Sequence, residues 1–434
     1  MTDSLKRSAP LAEALLGAAQ LMTTVLAGRT FDAALAASLL GGTTRAAAMD
    51  LAYTALRAHG RGDFLLGLLL QRPLPDMAAR SLLLAALARL EARPDESHTT
   101  VDQAVTAAAQ LARGQFKGLV NAVLRNFLRR RAELLAMAAA DPVACWQHPA
   151  WWIERLQHDH PAHWESILGA GNTHPPLCLR VNVRRGTGAD LLSRLAAAGI
   201  AARALDDTAI LLEKPVSVER IPGFGDGLCS IQDWGAQAAA GLLDAHDGMR
   251  VLDACAAPGG KAAHLLETAR LELTALDADP VRAARITDTL QRLGLEATVK
   301  IGDARAIDTW WDGRPFQRIL ADVPCSASGV VRRHPDAKWL RRESDIAGFA
   351  ATQRDIADAL WRTLAPGGKM LYATCSVFAE ENAAQVEAFV GRHADARRLP
   401  LPGTTTRTTT SDAQLQHLPD AEHDGFYYAL LQKA

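Results

Sequence analysis

Two cysteines are the residues of this chain best suited to covalent chemistry. Cys325 lies in "LADVPCSASG", directly after an apolar strand-like run, and Cys375 lies in "YATCSV", where the next such run ends. Cysteine is usually a small buried residue, so either thiol alone indicates packing at a strand end. Two thiols at the carboxyl ends of consecutive parallel strands, beside Asp322, instead favour nucleophilic chemistry.

Four aspartates end successive strand-like runs, namely Asp253, Asp277, Asp303 and Asp322. One aspartate at a strand end often only caps the following helix. Four aspartates at the ends of successive strands are harder to explain by helix capping alone. Asp277 is placed to accept hydrogen bonds from ribose hydroxyls, and Asp303 either accepts from an adenine amino group or caps a helix. The pattern predicts a site for a nucleoside-containing cofactor.

A glycine-containing loop joins the first of these strands to a helix in "VLDACAAPGGKAAHLL". Gly259 and Gly260 let the backbone turn and approach a ligand closely. The loop matches neither G-x-G-x-x-G nor the P-loop, and an ordinary strand–helix turn has the same appearance. Because a phosphate motif is missing and carboxylates favour a nearby sulfonium cation, S-adenosylmethionine fits better than a pyrophosphate ligand.

The elements that must position these groups lie in residues 233–434. Strand-like runs alternate there with helical ones, which predicts a doubly wound, Rossmann-like α/β domain with a mostly parallel sheet. Such sheets bind ligands beyond the carboxyl ends of their strands. The threonine-rich stretch 404–420 is predicted to be a loop without chemistry. The strand-like runs are "MRVLDACA", "LELTALDA", "ATVKIGDA", "RILADVPC", "GKMLYATCSV" and "GFYYALLQK".

Residues 1–145 are rich in alanine, leucine and arginine at helical spacing, which predicts an all-helical domain. The stretch "GQFKGLVNAVLRNFLRRR" contains Lys117 and Arg125 and no acidic residue. Such a run of positive charge indicates either a solvated helix face or a phosphate contact, and the sequence favours neither.

Residues 146–232 read as a smaller α+β domain in which helices alternate with short strands. Its tryptophans could stack on nucleobases, but aromatic residues near a domain junction more often form a core, and packing is the favoured interpretation. These tryptophans are Trp146, Trp151, Trp152 and Trp164.

The composition is that of an ordinary globular protein of 434 residues with a formal net charge of −1. Six cysteines show no zinc-ligand spacing, so no metal is expected. No signal peptide and no membrane-spanning apolar run are found. We therefore expect a cytoplasmic protein with free thiols. A monomer is expected separately, since the sequence leaves the oligomeric state open.

The motifs "DACAAPGGK", "ADVPCSASGV" and "YATCSV" resemble those of the Nop/Sun (Fmu) family of RNA cytosine-5 methyltransferases. The start containing "GLVNAVLRNFLRR" resembles the NusB-like domain of the bacterial member that methylates 16S ribosomal RNA. The segments "HPAWWIERL", "LCLRVNV" and "DGFYYALLQK" also resemble that member, so the resemblance spans nearly the whole chain. It implies a NusB-like domain, a small ferredoxin-like domain and a class I methyltransferase domain, with S-adenosylmethionine as cofactor and 16S ribosomal RNA rather than DNA as substrate.

The resemblance also implies roles for individual residues. Cys375 would add to C6 of the cytosine, Cys325 would assist product release, and Asp322 would hold the base edge around N3 and N4. Lys261 would orient Asp322 or the cofactor carboxylate, although a solvated lysine is the simpler interpretation. The acceptor of the C5 proton stays open between Cys325, Asp322 and water. The implied cofactor contacts are Cys255, Ala256, Ala257, Pro258, Gly259, Gly260, Lys261, Asp277, Asp303 and Asp322.

Two features concern the surroundings of this site. Arg332, Arg333, His334 and Lys338 in "GVVRRHPDAKW" are predicted to form a basic loop that contacts RNA phosphates, the alternative being a solvated loop. "SIQDWGAQAAA" departs from the family pattern at Trp234-Gly235, where a small or acidic residue followed by Ser or Ala is expected.

Two other functions remain compatible with the sequence. A transfer RNA cytosine-5 methyltransferase would use the same chemistry. Only the resemblance of the helical domain to the NusB-like domain disfavours this function. A non-catalytic RNA-binding assembly factor would share the helical domain, but the intact aspartates and cysteines argue against decay of the site.

Overall fold

The computed structural model describes residues 10–401 and 414–434. Its helices are α1 (Leu11–Leu26), α2 (Phe31–Ala37), α3 (Gly42–Arg57), α4 (His59–Leu69), α5 (Met77–Ala92), α6 (Ser97–Ala108), α7 (Lys117–Ala140), α8 (Pro142–Trp146), α9 (Ala150–Asp159), α10 (Trp164–Gly171), α11 (Gly188–Ala197), α12 (Trp234–Leu242), α13 (Gly260–Thr268), α14 (Pro280–Leu293), α15 (Ala337–Leu340), α16 (Glu343–Thr363) and α17 (Ala383–Arg392). None of the helices among these residues combines the length and apolar character needed to span a bilayer.

Among the described residues, the strands begin at Leu177 and continue to Lys433. They are β1 (Leu177–Val181), β2 (Ala202–Ala204), β3 (Ala209–Leu212), β4 (Cys229–Ile231), β5 (Arg250–Ala254), β6 (Glu272–Asp277), β7 (Thr298–Ile301), β8 (Phe316–Asp322), β9 (Leu364–Thr374), β10 (Ala396–Leu399), β11 (Gln414–His417) and β12 (Phe426–Lys433).

The chain folds into two compact units, and the first comprises residues up to Thr173 together with Val331–Glu343. Its core surrounds α5, whose sequence "SLLLAALARL" is buried almost throughout. The Asp76 side chain caps this helix by accepting a hydrogen bond from Ala79 N. The prediction of an all-helical amino-terminal region is confirmed. The unit continues past residue 145, because α9 and α10 belong to it and the Trp164 ring packs edge-on against Trp146.

The segment Val331–Glu343 is bound into this helical unit by polar contacts that are distant in sequence. Asp336 Oδ2 accepts from Phe31 N at 2.9 Å, and Trp339 Nε1 donates to the Leu56 carbonyl at 2.9 Å. Lys338 Nζ donates to Asn172 Oδ1 at 2.8 Å. Burial lowers the pKa of Lys338 well below its usual value. These bonds make the segment a structural part of the first unit.

The second unit contains His174–Val330 and the described residues from Ser344 onward, with two sheets. The smaller sheet has the strand order β2-β3-β1-β4 and is antiparallel. Its helix α11 begins with a capping box formed by Thr187 and Asp190. The predicted α+β character of this region is confirmed for residues 177–231, which pack in the same compact unit as the larger sheet.

The larger sheet has the order β10-β12-β9-β8-β5-β6-β7, with β11 added against β12. Strands β5 to β9 pair in parallel, while β10, β11 and β12 run antiparallel. The predicted mostly parallel, doubly wound sheet is confirmed. Within the stretch 404–420 that was predicted to be a loop, residues 404–413 lie outside the described part, and Gln414–His417 form β11 instead.

A buried ion pair joins the smaller sheet to α13. The Arg180 guanidinium on β1 forms two 2.8 Å bonds with the Glu267 carboxylate, and both side chains are essentially inaccessible to solvent. Arg180 also donates to Gln232 Oε1 and to the Gly260 carbonyl, the latter at 2.9 Å. The pair therefore fixes the helix that follows the glycine-containing loop.

Replacement of either Arg180 or Glu267 alone should lower the stability of the protein. We expect Arg180→Met to lower the free energy of unfolding by about 3–5 kcal/mol, because it leaves the Glu267 carboxylate buried without its counter-charge. The double variant Arg180→Met/Glu267→Leu should lose less than the single variant. Urea denaturation measures both, and a double variant that loses the sum of both single losses would contradict this account.

Candidate functional site

The two cysteines lie together at the carboxyl edge of the larger sheet. Strands β8 and β9 pair in parallel, with Asp322 opposite Ala373, and Gly329 N donates to the Cys375 carbonyl at 2.8 Å. The sulfur atoms of Cys325 and Cys375 are 3.3 Å apart. The sequence prediction that these thiols meet above the sheet is thus matched by the geometry.

The surroundings of Cys325 disfavour its ionised form. The hydrogen bond with Cys375, burial and the nearby charges of Cys375 and Glu381 all raise the pKa of Cys325 well above its usual value. At neutral pH Cys325 is therefore a protonated thiol that can donate a hydrogen bond or a proton.

An ion pair lies beside the cysteines. Lys261 Nζ, on the first turn of α13, donates to Asp322 Oδ2 at 2.6 Å. Burial alone would lower the pKa of Lys261, but the charge and hydrogen bond of Asp322 outweigh it and raise the pKa. Negative charge on Cys375 contributes in the same direction, so the ammonium and a Cys375 thiolate stabilise each other.

Asp253 differs from the other three aspartates because it is completely buried. Burial raises the pKa of its carboxyl well above the usual value, and the charges of Asp322 and Asp277 add to the effect. Asp253 is consequently a neutral acid beneath the site, which leaves Asp322 as the counter-charge that Lys261 contacts directly.

The glycine-containing loop is held by Asp277. Its Oδ2 accepts from Ala257 N at 3.1 Å, and its Oδ1 accepts from Asp279 N at 3.1 Å. Gly259 has a φ of 97°, and a Cβ there would lie 3.1 Å from Ile286 Cα, so a side chain would be strained as well as crowded. Burial raises the pKa of Cys255 to about 12, so this thiol stays protonated.

A cavity of about 140 Å³ opens beside this loop. Asp277 and Asp303 line it together with Thr352 from α16. Arg305 also lines it and donates to both oxygens of the Asp303 carboxylate. This hydrogen bond lowers the pKa of Asp303 and keeps its carboxylate ionised. The cavity thus offers carboxylate acceptors at the position where the sequence predicts a nucleoside.

The divergent Trp234-Gly235 pair has a structural explanation. The Trp234 indole donates to Asp206 Oδ2 at 2.7 Å. A Cβ on Gly235 would lie 2.8 Å from the Phe426 ring, so the glycine permits close packing of α12 on β12. Phe426 in turn faces Lys261 Nζ at 5.7 Å from its ring centroid.

The basic loop differs from the prediction. Arg332 is only 2% exposed and Lys338 is fully buried, so the expectation of exposed phosphate-binding side chains is wrong at these two positions. The reason is that Val331–Glu343 packs into the helical unit, where Arg57 donates to the Arg332 carbonyl. Arg333 is half-buried, while His334, Lys117 and Arg125 are exposed and remain predicted RNA contacts.

Several buried polar residues around the cysteines were not predicted. Glu381 accepts hydrogen bonds from residues that directly follow each cysteine, and Gln353 joins the same network. The repeated Cys-Ser pair in "PCSASG" and "TCSVFAEEN" is the sequence signal that could have indicated a shared partner. No cluster of metal-ligating side chains occurs within residues 10–401 and 414–434.

Family models match the chain in three consecutive parts. The NusB family matches residues 13–129, a ferredoxin-like domain of the RsmF/B-like methyltransferases matches residues 148–219, and the 16S rRNA methyltransferase RsmB/F model matches residues 240–432. The order of these three domains along the chain agrees with the predicted domain order.

Curated relatives cover almost the full length. Ribosomal RNA small subunit methyltransferase B of Serratia proteamaculans is 43% identical over 394 residues, which cover 90% of each chain. The protein of the same name from Pseudomonas putida is 42% identical over 96% of this chain and 98% of its own.

Solved structures share the fold. PH0851 superposes with a TM-score of 0.80 at 21% identity, covering 97% of this chain and 99% of its own. NSun6 from Pyrococcus horikoshii with SFG has a TM-score of 0.59 at 18% identity, covering 66% of this chain and 98% of its own.

The thiol contact predicts a change in reactivity. We expect Cys375→Ala to lower the pKa of Cys325, because its largest cause, the hydrogen bond with Cys375, is removed. Iodoacetamide modification of Cys325, followed by peptide mass spectrometry between about pH 6 and pH 10, should then begin at lower pH than in the unchanged protein. Cys145 serves as the internal reference, and an unaltered Cys325 profile would contradict the predicted coupling.

Because Arg332 is buried, its replacement should affect the stability of the protein and not its affinity for RNA. Arg332→Ala should lower the free energy of unfolding by about 2–4 kcal/mol and leave the salt dependence of RNA affinity unchanged. Arg333→Ala should instead reduce the slope of affinity against salt by about one, because one phosphate contact is lost. Binding titrations at several salt concentrations distinguish the two, and a reduced slope for Arg332→Ala would restore the original prediction.

Proposed function

Because this chain belongs to the family of the ribosomal RNA small subunit methyltransferases B, we propose that it methylates carbon C5 of a cytosine in 16S ribosomal RNA. Membership of the family makes it an S-adenosylmethionine-dependent ribosomal RNA methyltransferase. The observation that supports the cytosine-5 reaction is the pair of thiols 3.3 Å apart beside the Lys261–Asp322 ion pair.

The cofactor fits the residues present. Asp277 and Asp303 line the cavity next to the glycine-containing loop, and Gly259 leaves no Cβ between the loop and Ile286. S-adenosylmethionine supplies an electrophilic methyl group on a sulfonium. The predicted contacts from Cys255 to Lys261, with Asp277, Asp303 and Asp322, all lie around this edge of the sheet.

The chemistry explains the two thiols. Cytosine C5 is a weak nucleophile, and addition of a thiolate to C6 makes it enamine-like. In our proposal Cys375 makes this bond, because its thiolate and the Lys261 ammonium stabilise each other. After C5 takes the methyl group, its proton passes to Asp322 or to water, because Cys325 is already protonated. The electrons of the C5–H bond restore the aromatic ring as the bond between sulfur and C6 breaks and Cys375 leaves as a thiolate.

Asp322 and Cys325 complete the proposed mechanism. Asp322, held by Lys261 at 2.6 Å, contacts the base edge around N3 and N4 and accepts a hydrogen bond from the N4 amino group. The adjacent Lys261 ammonium offsets the negative charge that develops on the ring as the thiolate adds. Cys325 carries a proton at neutral pH and lies within 3.3 Å of the Cys375 sulfur. It is therefore placed to protonate that sulfur as product is released.

Trapping of the adduct tests these roles. On small-subunit RNA containing 5-fluorocytosine, the unchanged protein with S-adenosylmethionine should form a complex that survives denaturing electrophoresis, since the fluorine cannot leave as a proton does. Cys375→Ala should abolish the complex, whereas Cys325→Ala should retain it. Cys145→Ala, in the helical unit, is the matched control.

The opposite pattern would overturn the assignment. A complex formed by Cys375→Ala but not by Cys325→Ala would make Cys325 the nucleophile. Tritium transfer from labelled S-adenosylmethionine, followed by bisulfite mapping of the RNA, tests the substrate. Methylation of transfer RNA in preference to 16S RNA would contradict the proposed substrate, and no transfer to either RNA would contradict the proposed activity.

A further inference from the structure

One carboxylate joins the two cysteine loops. Glu381 is completely buried, and its Oε1 accepts hydrogen bonds from Ser326 N at 2.8 Å and from Gln353 Nε2 at 3.0 Å. Its Oε2 accepts from the hydroxyls of Ser326 and Ser376, the latter at 2.6 Å. Ser326 follows Cys325 directly, and Ser376 follows Cys375. A single side chain is thus bonded to both residues next to the reacting thiols.

Secondary contacts hold this carboxylate in place. The Tyr372 hydroxyl, on β9, donates to the Glu381 carbonyl at 2.8 Å. Gln353, on α16, donates to the Pro324 carbonyl at 3.0 Å as well as to Glu381. Ser328 Oγ lies 2.9 Å from Ser376 Oγ and accepts from Val377 N at 2.9 Å. The network therefore fixes both loops to one helix and one strand, and all of its side chains are buried.

We propose that Glu381 is a positioning residue that sets the distance and relative orientation of Cys325 and Cys375. The inference rests on the proposed cytosine-5 reaction and goes beyond it, because Glu381 acts through Ser326 and Ser376, the residues that follow the two cysteines. A charged group is costly to bury, and four hydrogen-bond donors directed at its two oxygens offset that cost. A glutamine at this position would accept hydrogen bonds only through its single amide oxygen, whereas both oxygens of the glutamate accept.

The charge of Glu381 has a second consequence. It is one of the causes that raise the pKa of Cys325, together with the hydrogen bond to Cys375 and burial. The Tyr372 phenol also interacts with Cys325, and burial together with the charges of Glu381 and Cys325 raises the pKa of this phenol. Glu381 thereby helps to keep Cys325 protonated while it holds the loop.

The variant Glu381→Gln tests the proposal with little change in volume. Its amide oxygen can still accept from Ser326 N and Gln353, while the bonds to the two hydroxyls and the charge are altered. We expect kcat for 16S RNA methylation to fall about 10- to 100-fold, because misplacement of a reacting group has that order of effect. KM for RNA and for S-adenosylmethionine should stay within about twofold, since neither ligand is expected to contact Glu381.

A second readout separates positioning from a general loss of structure. In Glu381→Gln, iodoacetamide modification of Cys325 should begin at lower pH, because a negative charge beside it has gone. Glu380→Gln, which removes a carboxylate one residue earlier, is the matched control and should leave kcat and the Cys325 profile unchanged. Ser376→Ala keeps the Glu381 charge but removes one hydrogen bond beside Cys375. This variant keeps the test decisive if Glu381→Gln does not fold. Its kcat should fall, while the pH profile of Cys325 modification should shift less than in Glu381→Gln.

The outcomes distinguish this inference from the proposed function. Unchanged kcat in both Glu381→Gln and Ser376→Ala, in a preparation whose unchanged protein methylates and traps 16S RNA, would overturn the positioning role. A rise in KM with unaltered kcat would also overturn it, because it would assign Glu381 to ligand binding. Failure of the unchanged protein to form the 5-fluorocytosine complex would refute the cytosine-5 mechanism itself.

Discussion

Parallel pairing of β8 with β9 is the constraint on which the site depends. Both strands end at the same edge of the sheet, so the loops that follow them begin side by side. A slip of one residue would turn alternate side chains to the opposite face and separate the two sulfurs. The register is secured from within the strands by buried Leu320 and Leu371, and beyond them by the bond from Gly329 N to the Cys375 carbonyl.

Electrostatic balance at this edge follows from burial. Asp253, Asp322 and Lys261 lie close enough for their charges to interact, yet burial makes Asp253 neutral. The remaining carboxylate and the ammonium then form a pair with little net charge. A thiolate at Cys375 would consequently lie near an almost neutral ion pair rather than near a surplus of negative charge. On the other side of α13, the Arg180–Glu267 pair holds the helix that carries Lys261.

Local patterns in the sequence predicted most of the fold, because strand ends, glycine turns and helical periodicity depend on residues close together in the chain. The alternation that predicted the parallel sheet also placed Cys325 and Cys375 at one edge. Contacts between distant segments were beyond such reasoning. Arg332 and Lys338 have the composition of an exposed basic loop, and only their packing among helices more than 150 residues earlier buries them. Glu381 was missed for a similar reason, since its four donors come from three separate parts of the chain.

The inserted segment Val331–Glu343 affects how the chain acquires its structure during synthesis. Domains generally fold in order from the amino terminus as they leave the ribosome. The helical unit cannot complete its set of internal contacts in that order, since Asp336, Lys338 and Trp339 emerge only after residues 174–330 have been translated. The helical unit therefore cannot complete its contacts until the strands β5 to β8 of the larger sheet have been translated.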